Sequence, residues 1–229
     1  MRLATDGAVL ARNYRAYLFD LDGTLIDSAP DINGALNAAL RSAGYPTVDE
    51  ALTRHWVGHG SRVLLEQALT HHGAPEKIAD ETLMVQLLGI FIDHYSAHIA
   101  DSSRPYPGVV EALQILKSRG ARLAIVTNKL TGLSQQLLAA LRLDRYIEAL
   151  VCGDTLPQRK PDAAPAKHAC RVLNCAVRDS LFVGDSITDV ETARAAGCPV
   201  VCVRDGYNHG TPAEQLGADA VIDSLIELL

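Results

Sequence analysis

Hydrophobic positions in this chain gather in two kinds of run. Short blocks rich in Val, Ile, Leu and Ala, bounded by Gly, Asp, Asn or Pro, occur at Ala16–Phe19, Arg122–Thr127, Ala149–Cys152, Leu181–Gly184, Val200–Val203 and Ala220–Ile222. Blocks of this kind predict strands buried on both faces, the pattern of a parallel sheet. Between the later ones, Val109–Arg119, Leu130–Leu141, Pro161–Leu173 and Ile187–Ala196 have a helical pattern. Alternation of the two predicts right-handed βαβ crossovers around one sheet, a Rossmann-like α/β core.

From Pro30 to Ala100 that rhythm is replaced by helix after helix: Asp31–Ala43, Glu50–Trp56, Ser61–His72 and a long run from Glu76 to Ala100. The joints on either side, Asp27-Ser28-Ala29-Pro30 and Ser102-Ser103-Arg104-Pro105-Tyr106-Pro107-Gly108, are polar and contain proline, as hinges between domains should. The reading is a core domain of residues 1–27 and 104–229, with a helical cap domain, 28–103, inserted after the first strand. A mobile cap over a cleft follows from that layout. Met1–Arg15 has neither a long apolar centre nor a small-residue cleavage site, and reads as a loosely ordered lead-in rather than a signal peptide.

The bulk numbers narrow the function without naming it. A hydrophobic share of 48% and a charged share of 21% over 229 residues suit a soluble globular protein. Leu83–Ile92 is too short and interrupted to span a bilayer, so no membrane association is expected. A net charge of −6 argues against nucleic acid or anionic lipid as partner. It leaves room for a small anionic substrate, because a metal and a few basic residues reverse the field locally. The five cysteines are odd in number and form no Cys-x-x-Cys pair, which favours reduced thiols and a cytoplasmic location. Monomer and homodimer both remain open.

The candidate chemistry lies where the predicted strands end. Asp20-Leu21-Asp22-Gly23-Thr24 closes the first strand, where open α/β sheets bind ligands. The bend at Gly23 can turn the second acid toward the same cleft as the first. Alone, the stretch could equally be an Asx turn. Thr127-Asn128-Lys129 follows another strand and precedes a helix, offering a hydroxyl and free N–H groups to a phosphate, or merely an N-cap. Lys160 stands before Pro161, read as the first helical residue, and can present a point charge to the cleft. Asp185 and Asp189 sit at the exit of a further strand, where acids also suit the helix dipole. Together these strand ends predict a hard-cation site beside an anion site. In the helical segment, Gly58-His59-Gly60 lets backbone approach a small ligand, and Arg62 could meet its carboxylate or lie on a solvated face. His94 and His98 have zinc-like i, i+4 spacing but lack a supporting Glu and a third ligand, and read as surface residues.

These residues resemble the four motifs of the haloacid dehalogenase-like hydrolase superfamily, present in order as Asp20-x-Asp22-Gly-Thr, Thr127, Lys160-Pro161 and Gly184-Asp185-x-x-x-Asp189. Within it the chain is most similar to the phosphoglycolate phosphatase family, through Asp27-Ser28-Ala29-Pro30-Asp31, Trp56-Val57-Gly58-His59-Gly60 and Gly206-Tyr207-Asn208-His209-Gly210. His59 departs from the Asn usual in that family. The resemblance implies Mg²⁺-dependent hydrolysis of 2-phosphoglycolate through an aspartyl-phosphate. Asp20 would be the nucleophile and Asp22 the general acid and base. Mg²⁺ would be held by Asp20, Asp185 and the carbonyl of Asp22, with Asp189 supporting from behind. Thr127 and the N–H of Asn128 would hold the phosphoryl oxygens, and Lys160 would spread positive charge over them. Gly58, His59 and Arg62 would belong to the cap side of the substrate site. Alternatives are another small phosphoester such as a sugar phosphate or pyrophosphate, a phosphomutase, and a non-catalytic binding protein on the same fold.

Overall fold

The computed structural model describes residues 6–229. A short helix, α1 (Asp6–Leu10), precedes the central strand β1 (Ala16–Phe19). The expected loose lead-in therefore contains a helical turn, with Val9 buried in the core, while Met1–Thr5 lie outside the described residues. After β1 the chain makes a tight turn into β2 (Ile26–Asp27) and then the helices α2 (Ala29–Ser42), α3 (Glu50–Trp56), α4 (Ser61–His71) and α5 (Glu81–Ala97). It returns through β3 (Arg104–Pro105), which pairs antiparallel with β2 to form a two-stranded stem. From there α6 (Val109–Ser118), β4 (Arg122–Val126), α7 (Thr131–Ala140), β5 (Ala149–Val151) and α8 (Ala164–Val172) follow. The remaining elements are β6 (Ser180–Gly184), α9 (Ile187–Ala196), β7 (Val200–Val203) and β8 (Ala220–Ile222).

The six core strands form one parallel sheet in the order β5-β4-β1-β6-β7-β8, which confirms the α/β class. The chain fills one side of β1 with β4 and β5, then crosses to the other side with β6. The exits of β1, β4 and β6 therefore share the switch point, where parallel sheets open a crevice. Alternation along β1 sends Tyr17 and Phe19 to one face and Ala16 and Leu18 to the other. Val109, Leu113 and Leu116 of α6 cover the first face, and Ala166 and Ala169 of α8 with Val190 and Ala193 of α9 cover the second. Small side chains on α8 and α9 bring those helices close to the sheet.

The inserted helices bury their apolar faces largely against one another. Leu36 and Leu40 of α2, Leu65 and Leu69 of α4, and Met84, Leu87 and Phe91 of α5 make a separate cluster. Removing one such leucine side chain costs about 2–5 kcal/mol, so this cluster stabilises the helical unit independently of the sheet.

Two expected helices start later than their patterns suggest. The run from Glu76 is broken because the side chain of Asp80 accepts a hydrogen bond from the Leu83 N–H, starting α5 afresh after a 3₁₀ turn over Pro75–Ala79. Pro161 is not the first residue of α8. The Lys160 N–H is committed to the side chain of Asn128, and the Asp162 carboxylate accepts from Ala164, where the helix begins. All five cysteines are free thiols. No helix among the described residues is long and apolar enough to cross a membrane.

Candidate active site

Asp20 continues the ladder of β1 for one more bond, its N–H donating to Val183 O at 2.9 Å, and this fixes its carboxylate at the sheet exit. Gly23 turns the chain immediately afterwards with φ of +86°, and a Cβ there would run into the Asp185 carboxylate and the Tyr207 ring. Thr24 then points back to donate to Asp185 Oδ1 at 2.6 Å, while the Tyr207 N–H donates to Asp185 Oδ2 at 2.6 Å. The turn thus holds the acid of β6 against the acid of β1.

Asp20, Asp185 and Asp189 are all buried, and one oxygen from each lies within 4.8 Å of the others. Lys160 Nζ stands between two of them, 2.8 Å from Asp20 Oδ1 and 2.7 Å from Asp189 Oδ1. The second contact is a hydrogen bond, whereas the approach to Asp20 Oδ1 is out of line and leaves that oxygen with a charge partner but no hydrogen bond. Asp189 Oδ2 is occupied otherwise, accepting from the N–H groups of Asp185 and Ser186 and from the Ser186 hydroxyl. Asp189 therefore orients Lys160 and caps α9, with both of its oxygens already hydrogen-bonded.

Three carboxylates around one ammonium leave two negative charges uncompensated in a buried space. Burial, followed by the neighbouring Asp189, pushes the Asp20 carboxyl up to about 6 despite Lys160. Burial and the charges of Asp189 and Asp20 hold Asp185 well above the usual carboxylate range. Burial opposes the charge on Lys160, but Asp189 and Asp20 outweigh it and raise its pKa. An excess of two charges, hard oxygen donors and an unbonded Asp20 oxygen together fit a divalent cation.

Across the cleft, Asp22 meets a partner that motif spacing did not single out. Lys129 Nζ lies 2.9 and 3.0 Å from the two Asp22 oxygens, and the Ser28 hydroxyl donates to Oδ1 at 2.5 Å. Lys129 also donates to the Tyr95 hydroxyl at 2.8 Å and lies 4.4 Å from the centre of that ring. The signal that could have found it is its place, directly after Thr127-Asn128 at a strand exit, where a lysine side chain has little but the cleft to enter.

Asp20, Asp22, Thr127, Asn128 and Gly58 share the lining of a narrow cavity of about 40 Å³ between sheet and helices. Its opposite wall is largely apolar, with Val57, Leu64 and Phe91 beside Gly60 and Ser61. Asn128 works through its side chain: Oδ1 accepts from the Lys160 N–H, and Nδ2 donates to the carbonyls of Lys160 and Gly58. One residue thus joins two strand exits to the helical unit. His59 is half-buried and stacks on His209, ring centroids 5.0 Å apart, with burial and then His209 and Lys160 lowering its pKa. Arg62 does not reach the cleft. Its guanidinium pairs with Glu66 at 3.0 Å and Glu81 at 2.7 Å on the helix surface, which corrects the expected contact with a ligand carboxylate.

The loop 206–210 acquires a structural role that the sequence did not supply. The Tyr207 hydroxyl accepts from the N–H groups of Ser28 and Ala29, capping α2, and donates to Asp27. His94 and His98 pack ring against ring, with His98 paired to Asp101.

Residues 17–203 match the haloacid dehalogenase-like hydrolase family, and the chain belongs to it. A phosphoglycolate phosphatase of Thiobacillus denitrificans is 41% identical, the match covering 93% of each chain. One from Caulobacter vibrioides is 44% identical over 92% of this chain and 87% of that protein. The crystal structure of a "predicted phosphoglycolate phosphatase" from Haemophilus somnus is 34% identical, with a TM-score of 0.88 over 95% of this chain and 97% of that one.

Proposed function

We propose that the protein hydrolyses 2-phosphoglycolate to glycolate and phosphate, in a Mg²⁺-dependent reaction. The substrate follows the relatives' names, carried by 41% identity over 93% of the chain. One observation supports the chemistry: Asp20, Asp22 and Thr127 line the same narrow cavity.

Asp20 forms a bond to phosphorus while the bond from phosphorus to the glycolate oxygen breaks, and Asp22 gives its proton to that departing oxygen. Asp22 then takes a proton from water, whose oxygen attacks phosphorus, freeing phosphate and restoring the Asp20 carboxylate. Thr127 and the N–H of Asn128 hold the phosphoryl oxygens, and Lys160 supports the charge that builds on them. Asp20, Asp185 and the carbonyl of Asp22 would hold Mg²⁺, which when bound offsets the repulsion between a carboxylate and a phosphate dianion. The helical unit acts as the cap, and the β2–β3 stem is its hinge. Gly58 contributes backbone on the cap side, and His59, braced by His209, narrows the mouth.

Phosphate release from a panel of phosphoesters, with and without Mg²⁺, tests this reading. The expected result is metal-dependent turnover with 2-phosphoglycolate as the best substrate. A better sugar phosphate or pyrophosphate would overturn the substrate, and turnover in chelator would overturn the metal.

A further inference from the structure

The proposed substrate carries two anionic groups, and the cleft's chemistry so far accounts for one. The phosphoryl group has Thr127, Asn128 and Lys160. The carboxylate meets no cation on the helical side: Arg62 is held on the surface by Glu66 and Glu81, and the wall above the cavity is Val57, Leu64 and Phe91 with Gly58, Gly60 and Ser61. A carboxylate buried there without a counter-charge would be strongly unfavourable.

Among the described residues, Lys129 is the only cationic side chain lining the cavity. In 2-phosphoglycolate a single methylene separates the bridging oxygen from the carboxyl carbon. The group that delivers a proton to the bridging oxygen therefore works beside the substrate carboxylate. That group is Asp22, and the cation touching Asp22 at 2.9 Å is Lys129. Lys129 is held in place by more than Asp22. Tyr95, itself buried, gives it a hydroxyl at 2.8 Å and a ring face at 4.4 Å, and both stay when a carboxylate is exchanged.

Resting on the reading of this site as a 2-phosphoglycolate phosphatase, we infer that Lys129 is the specificity-determining residue for the substrate carboxylate. In the free protein Asp22 holds the ammonium that the substrate carboxylate takes over. On binding, Lys129 moves from one carboxylate to the other while Tyr95 keeps its ammonium in the cleft. A neutral ester of the same shape offers nothing to exchange for Asp22 and binds against an intact ion pair.

The test compares 2-phosphoglycolate with 2-phosphoglycolamide, which has the same shape without the second charge. The wild-type protein should favour the carboxylate in kcat/KM, and Lys129→Gln should reduce that preference by about 100-fold or more. Lys129→Arg should retain most of it, and Tyr95→Phe should lower it by a smaller factor. If wild type prefers 2-phosphoglycolate and Lys129→Gln keeps the full preference, the inference fails while the function stands. If wild type shows no preference, the inference fails, while the function stands or falls on the phosphoester panel. Should Lys129→Gln not fold, ¹⁵N-lysine spectra of the wild-type protein decide. Glycolate added with inorganic phosphate should shift the Lys129 Nζ resonance and glycolamide should not, and equal responses would sink the assignment.

Discussion

Lys160 and Lys129 are buried at two corners of one cleft, and their surroundings differ in charge balance. Lys160 has Asp20 on one side and Asp189 on the other, with Asp185 close by, so carboxylates outnumber ammonium. Lys129 faces a single carboxylate, Asp22, and a phenol. The first corner carries an excess of negative charge, and its parts are locked by hydrogen bonds from Thr24, Ser186 and backbone. The second is balanced as it stands, so an incoming anion enters only by exchange. On the proposed reading, one corner holds charge still while chemistry occurs, and the other reads the charge of what arrives.

Removing the proposed nucleophile should give the largest effect. Asp20→Asn should lower phosphate release by roughly 10⁴-fold or more with the fold intact by circular dichroism. Activity within about tenfold of wild type would remove Asp20 from the reaction. The two lysines should next separate in stability. Lys160→Met strands two buried carboxylates and should cost about 3–5 kcal/mol in denaturant unfolding. Lys129→Met strands one and should cost less, and equal losses would erase the contrast drawn here.

Proton linkage gives a third, smaller effect. Burial raises Asp20 in the folded protein to about 6, and burial with its acidic neighbours raises Asp185. An acid with a raised folded pKa binds more protons folded than unfolded. Its stabilisation is therefore full below the unfolded value of about 4 and is lost as pH rises through the folded value. In chelator, the melting temperature should carry a loss from these acids between about pH 4 and the region above pH 6. Mg²⁺ competes with those protons, so its stabilising effect should grow across the same window. A Mg²⁺ response of constant size would show that these acids do not hold the ion. The smallest change is expected for Arg62→Ala, whose charge is spent on Glu66 and Glu81. Its kcat/KM should stay within about twofold of wild type, and a large rise in KM would return Arg62 to the cleft.

Much of this was legible in the primary structure, and the misses share a cause. The six strands were readable because strands buried on both faces are nearly continuous apolar blocks. The residues gathered in the cleft were readable because they fall at strand exits. Where α5 and α8 begin was not, because Asp80 and Asp162 rather than hydrophobic spacing set those starts. Lys129 was passed over because its meaning depends on Asp22 and Tyr95, far away along the chain. Tyr207 was passed over for the same reason, since a phenol capping α2 leaves no periodic trace.

The sequence by itself determined the parallel sheet, the inserted helical segment and the identity of Asp20, Asp22, Thr127, Lys160, Asp185 and Asp189. These follow from local patterns, because apolar periodicity and turn chemistry act over a few residues. Only the tertiary structure decided which charges face one another. It put Asp189 on Lys160 rather than on a ligand, turned Arg62 to the surface, and gave Lys129 to Asp22. Such pairings depend on burial and on the packing of helices against strand exits, where an ammonium settles beside whichever carboxylates the fold brings within about 3 Å.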